Sequence, residues 1–289
     1  MTFRDVVRRL GARLRDRLGF AAAVGALVAA PVVAEAQQIV STGQSFLSAR
    51  LLLGEGRDGG VHEAGLMLDI APGWKTYWRN PGEAGVPPQF DWSGSENLAE
   101  LRVDWPRPVA FQSFGMTTLG YGGRVVLPLT VVAEDPAEPV RLRLSAMLGV
   151  CRDICVFEQA NLSRLIGPGE SGPEGWLIEA AQASVPPRAE DAGVSLTACR
   201  IAGAGTERQL SARISLPDGA QTDPMVVLEG PAESWFESQT VSHDGDELVV
   251  EATLAVFEAG AWIDRSDIRM TVLADAMSAD IQGCRPAAG

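Results

Sequence analysis

The sequence predicts an all-β protein made of two antiparallel β-sandwich domains joined by a short linker helix. Three observations predict it. Apolar and polar residues alternate with period two in several stretches, turns rich in Gly, Pro and Asp separate them, and a single segment between the two halves changes to helical spacing.

The chain has 289 residues and opens MTFRDVVRRLGARLRDRLGFAAAVGALVAAPVVAEAQQ. An arginine-bearing start, an apolar run from Phe20 to Ala34 and the triplet Ala34-Glu35-Ala36 are the layout of a cleaved secretory signal covering 1–36. No later stretch offers the roughly 20 apolar residues that a spanning helix needs, so the exported protein is expected to have no membrane span after cleavage. Losing residues 1–36 removes six Arg and three acidic residues and leaves 18 basic against 34 acidic, a net charge of −16. That balance excludes nucleic acid and anionic lipid as natural partners.

The remaining residues are more than one small β-domain usually holds. In PVRLRLSAML, Val140, Leu142, Leu144, Ala146 and Leu148 share one face, and Arg141, Arg143 and Ser145 the other. QSFLSARLLL and HEAGLMLDI repeat the pattern in the first half, RQLSARISL and DELVVEATL in the second. Pro128 within VVLPLTVV suggests an edge strand or a bulge. After GPGESGP, the stretch EGWLIEAAQASV sets Trp176, Leu177, Ile178 and Ala181 at near-helical spacing before Pro186-Pro187. The expected domains are 37–168, a linker with a short helix at 169–189, and 190–289.

Four cysteines in an exported chain can all be oxidised. Along one straight strand Cys151 and Cys155 would stand about 13 Å apart, whereas a disulfide needs Cα atoms about 4.4–6.8 Å apart. A tight turn at Arg152-Asp153-Ile154 instead places them opposite each other at the mouth of a hairpin. The ring so closed holds five residues and stabilises by about 2 kcal/mol, while a structural Cys199–Cys284 bond closes 86 residues and stabilises by about 4.6 kcal/mol. The small ring is open to three readings: an inert crosslink, an exchangeable disulfide, or part of a soft metal site with His62 and Met147 as further donors. With two histidines in the chain, a zinc site of several imidazoles is not expected, and both His62 and His243 read as surface or strand-end residues. Of the neighbours, Arg152 would lower a thiol pKa, and Asp153 and Phe157 would raise it. Trp74, Tyr77 and Trp78 read as core packing, with Asn80-Pro81-Gly82 as a turn and Arg79 able to reach a carboxylate or a carbonyl.

Three blocks, GWKTYWRNPGEAGVPPQFDW (73–92), FGMTTLGYGGRVVLPLTV (114–131) and GVCRDICVFEQANL (149–162), together resemble the N-terminal periplasmic domain of the thiol:disulfide interchange protein DsbD, closest to its suppressor-of-copper-sensitivity relatives. The resemblance covers roughly residues 40–165. It implies an immunoglobulin-like sandwich and a periplasmic protein-disulfide reductase that needs no cofactor or metal. Such a protein passes electrons from a membrane-embedded thiol reductase to periplasmic thioredoxin-like proteins, with roles in disulfide isomerisation, cytochrome c maturation or metal tolerance. Carried over by position, Cys155 forms the mixed disulfide, Cys151 resolves it, and Phe114 is the cap that shields the sulfurs. The best-known members place five residues between the cysteines, where this chain has three. Gln112 and Ser113 stand where acidic residues are expected before the cap. The family's polytopic membrane domain has no counterpart in the sequence, so the reductase is expected to act in trans. A copper-binding protein using the same sulfurs, and a structural module with two static disulfides, are the alternatives.

Overall fold

The computed structural model describes residues 45–57, 59–113, 115–217 and 224–285. The signal expected at 1–36 lies outside the described residues. No helix among the described residues is long and apolar enough to cross a membrane.

The first half supplies ten strands: β1 (Leu47–Arg57), β2 (Val61–Ile70), β3 (Lys75–Gly82), β4 (Gln89–Asp91), β5 (Leu98–Val103), β6 (Val109–Ser113), β7 (Met116–Gly122), β8 (Arg124–Ala133), β9 (Val140–Cys151) and β10 (Cys155–Ile166). They form two antiparallel sheets in the orders β1-β2-β8-β5 and β10-β9-β3-β7-β6, with β4 added beside β9. The alternation read from PVRLRLSAML is the inward face of β9: Val140, Leu142, Leu144, Ala146 and Leu148 are all buried against Leu51, Leu66 and Leu127 of the facing sheet. Burying each of the Val and Leu side chains contributes about 1.5–3 kcal/mol relative to exposure. Trp78 fills the centre of this core, fully buried.

Pro128 departs from the expectation of an edge strand or bulge. β8 lies between β2 and β5, and Pro128 pairs in register with Gly65 of β2. It is tolerated there because it sits at the very end of the β5 pairing, one residue beyond Val103↔Leu129, where the missing N–H costs at most one terminal ladder bond. Its carbonyl accepts instead from the Asp104 amide at 2.8 Å.

The predicted helix is α1 (Gly175–Gln182). It lies against the first sandwich, with Ile178 packed on Leu52, Met67 and Val126 on the outer face of the β1-β2-β8 sheet. Trp176, counted with the apolar positions in the sequence, points away and is 68% exposed. The strap before the helix lies close on β1: the Gly172 amide donates to the Gly54 carbonyl at 2.7 Å, and a Cβ at Gly172 would fall 2.3 Å from the Leu53 carbonyl oxygen.

The second half folds as β11 (Ser195–Ala202), β12 (Glu207–Ser215), β13 (Met225–Glu229), β14 (Ser234–Asp244), β15 (Glu247–Val256), β16 (Arg269–Leu273) and β17 (Ser278–Gln282). Its sheets are β11-β12-β15-β14 and β13-β16-β17. Cys199 on β11 is bonded to Cys284, just after β17, so this disulfide crosses from one sheet to the other. Both sulfurs are buried, and the Arg265 guanidinium donates to the carbonyls of Cys199 (2.9 Å) and Cys284 (2.8 Å). Met225, Val227 and Leu273 of this half pack against the core of the first.

Candidate functional site: the hairpin disulfide

Strands β9 and β10 pair without a register shift from Val140↔Ile166 to Cys151↔Cys155. Arg152, Asp153 and Ile154 make the turn, closed by the Arg152 amide donating to the Ile154 carbonyl at 3.0 Å. The two cysteines therefore face each other at the last rung, with Cα atoms 4.1 Å apart and their sulfurs bonded. They are not equivalent. Cys151 is 3% exposed, whereas Cys155 is open to solvent.

Cys151 is covered by Tyr77 of β3. The Tyr77 hydroxyl lies 3.0 Å from the Cys151 sulfur and 3.7 Å from that of Cys155. Burial pushes the Tyr77 pKa up, so the phenol keeps its proton and can donate it to sulfur. The local sequence places the ring. The Thr76 hydroxyl donates to the Gly149 carbonyl at 2.9 Å, which ties β3 to β9 one residue away from Tyr77. Gly149 and Gly85 then make room for the ring: a Cβ at Gly85, whose φ is +119°, would fall 2.4 Å from it.

A pocket of about 200 Å³ opens beside the pair, lined by Tyr77, Val86, Met116, Thr118 and Phe157 together with both cysteines. Its surroundings are apolar and exposed, with Ile154 at 64% and Phe157 at 63%. On the other side of the turn, Phe46 stacks on Trp74 with ring centroids 3.8 Å apart, and the Arg152 guanidinium lies 5.2 Å from the Trp74 ring. Arg152 is also paired with Asp153 at 2.9 Å, so the cation expected to act on the thiols is partly neutralised by its own neighbour. Lys75 is the register partner of Cys151 on β3; its ammonium lies 3.5 Å from the Thr118 hydroxyl and over the Phe111 ring. Burial lowers its pKa.

Of the residues singled out in the sequence, the structure brings Cys151 and Cys155 together and Cys199 and Cys284 together. Phe114 lies outside the described residues; Met116, two positions on, lines the sulfur pocket. His62 is at a strand end, the second residue of β2, and is buried there: it is 1% exposed, and its Nδ1 has no hydrogen-bond partner among the described residues. Neither His62 nor Met147 lines the pocket, so the further soft donors a metal reading needs do not converge on the sulfurs. Among the described residues, no group of three His, Cys, Asp or Glu is placed to hold a metal ion. Tyr77 was legible only as a core aromatic. The glycines at 85 and 149, which its ring requires, were the available signal.

Residues 48–166 match the family described as thiol:disulfide interchange protein DsbD, N-terminal. The resemblance carried by the three sequence blocks is thereby shown over that range, which includes both Cys151 and Cys155. The N-terminal periplasmic domain of ScsB from Proteus mirabilis has the same fold, with a TM-score of 0.64 at 24% identity, over 87% of this chain and 98% of that one. No curated protein sequence matches the chain. The region 48–166 thus matches a domain family of the thiol–disulfide interchange type and has a sandwich architecture.

Proposed function

We propose that this chain is a periplasmic thiol–disulfide exchange protein. In this reading residues 1–36 are a cleaved signal, 37–168 the redox domain, 169–189 the linker and 190–289 a second domain. The Cys151/Cys155 pair receives two electrons from a membrane-embedded thiol reductase acting in trans and passes them to exported thioredoxin-like proteins. The observation that carries the proposal is the asymmetry of the pair: one sulfur is exposed within an apolar rim, and the other is buried under a tyrosine hydroxyl.

The chemistry follows from that asymmetry. A donor thiolate approaches along the S–S axis and attacks the exposed Cys155 sulfur. The Cys151–Cys155 bond breaks, a mixed disulfide forms at Cys155, and Cys151 leaves as a thiolate that accepts a hydrogen bond from Tyr77. The donor's second thiol then attacks its own sulfur in the mixed disulfide and releases Cys155, leaving the donor oxidised and the pair reduced, with two protons taken up. Running the sequence against an acceptor's disulfide, Cys155 attacks and Cys151 resolves. The apolar rim of Ile154, Phe157, Val86 and Met116 supports docking of a partner whose own active-site surround is apolar.

Trapping tests the assignment of roles. Cys151→Ser should accumulate a mixed disulfide with an exported thioredoxin-like protein, and Cys155→Ser should trap far less because its remaining thiol is buried. Equal trapping by both, or none by either, would remove the proposal.

A further inference from the structure

Two residues of β3, Arg79 and Asn80, make contacts across to the second sandwich that the exchange chemistry does not use. In the pairing of β3 with β7, Tyr77 stands opposite Gly120 and Gly82 opposite Thr118, so residues 78–81 bulge out against a single partner residue. Arg79 leaves the bulge, passes 4.0 Å over the Trp78 ring and meets Glu229 of β13, its Nε donating to both carboxylate oxygens at 3.0 and 3.1 Å, with Nη2 3.0 Å from Oε2. It also donates to the Thr271 hydroxyl of β16 at 2.9 Å and lies 3.8 Å from Asp280 of β17. Asn80 donates to the Leu228 carbonyl at 3.0 Å and accepts from the Gly82 amide at 3.0 Å.

Immediately after this anchor the chain forms one wall of the sulfur pocket. Glu83 is tied to β7 in both directions, its amide donating to the Thr117 carbonyl at 3.0 Å and its carboxylate accepting from the Thr117 amide. Ala84, Gly85 and Val86 then line the pocket, with Gly85 against the Tyr77 ring. The anchor therefore has Tyr77 two residues before it and the wall that clamps Tyr77 a few residues after it. The Arg79 side chain is 11% exposed, and its charge-assisted hydrogen bonds to Glu229 and Thr271 together hold it to two strands of the second sandwich.

We propose that Arg79 and Asn80 are positioning residues for the exchange reaction, and that the second sandwich acts as a buttress holding Tyr77 and the 84–86 wall in place over Cys151. This rests on the redox reading of the pair. Release of the anchor loosens the clamp on Tyr77, exposes Cys151 and weakens the hydrogen bond to its thiolate, so the second sandwich alters the redox behaviour of a pair it does not touch.

The test compares wild type with Arg79→Met, Asn80→Ala and Arg79→Lys in the full mature chain. Two readouts are taken: the equilibrium constant of the Cys151/Cys155 pair against glutathione, and the amide and Cβ chemical shifts of Tyr77, Ala84, Gly85, Val86 and Cys151 in the oxidised protein. Arg79→Met should move the equilibrium constant at least about threefold, Asn80→Ala in the same direction by less, and Arg79→Lys should return it toward wild type. The same variants should shift the pocket resonances. Should Arg79→Met fail to fold, Asn80→Ala, which keeps the ion pair, carries the test. Folded variants with unchanged equilibrium constant and unchanged pocket resonances would overturn the buttress. A wild-type pair that glutathione does not reduce would instead remove the redox reading, and the resonances of the oxidised protein would still decide whether the anchor positions the pocket.

Discussion

At the scale of single residues the account turns on Tyr77. A hydrogen bond to a charged sulfur contributes about 1.5–3 kcal/mol, so Tyr77→Phe should slow reduction by dithiothreitol by about tenfold or more, read by stopped-flow fluorescence, while leaving the fold intact. Tyr121 provides a separate prediction. Its hydroxyl donates to the Pro106 carbonyl at 2.7 Å, and burial raises its pKa well above the tyrosine range against a smaller opposing effect of Arg79. The folded state thus holds this proton more tightly than the unfolded chain. The resulting stability is full below the unfolded value of about 10 and is lost as pH climbs through the raised folded value. Urea midpoints should fall above about pH 10, and Tyr121→Phe should flatten that fall. The sequence could not separate these tyrosines from ordinary core aromatics, because what distinguishes them is a sulfur and a carbonyl brought in by distant strands. His62 sits at a strand end, as one of its two readings had it, but faces inward for a related reason. Its neighbours in sequence are a turn and a strand start, but its parity on β2 matches Ala64, Leu66 and Leu68, which face the core.

At the scale of elements, the hairpin was legible and its surroundings were not. Period-two alternation in β9 and a short break at Arg152–Ile154 are local properties, and they fix the cysteines opposite each other whatever the rest of the chain does. The burial of β3 between β9 and β7, which places Tyr77, is a topological result with no local signature. The helix was read from its spacing, but its packing face was not: one buried residue, Ile178, carries the contact with β1, β2 and β8. Ile178→Ala should therefore cost about 2–4 kcal/mol in denaturant unfolding, far more than a solvated linker helix would lose. Its exchange rate should match wild type, since this face is on the sheet opposite the sulfurs. Gly85→Ala should affect both. A Cβ there meets the Tyr77 ring at a backbone angle that favours glycine, so exchange kinetics should change together with about 1–3 kcal/mol of stability.

At the scale of the whole molecule, the proposed function has the two disulfides divide the work. Replacing Cys199 and Cys284 together by Ser should cost about 4 kcal/mol or more, because that bond closes a long loop and joins two sheets. Replacing Cys151 and Cys155 together should cost about 2 kcal/mol or less, since the short loop restricts the unfolded chain little. Paired urea melts measure the difference. That outcome would place the structural constraint in the second sandwich and leave the hairpin bond free to open; the Arg79 anchor connects the two sandwiches.

The most direct measurement of the central claim is equilibration of the mature protein in glutathione buffers of graded ratio, followed by counting the alkylated cysteines by mass. The account predicts that Cys151 and Cys155 become alkylated together over the range that reduces catalytic disulfides, about −120 to −270 mV, while Cys199 and Cys284 stay bonded. A Cys151–Cys155 bond that resists reduction as fully as Cys199–Cys284 would contradict it.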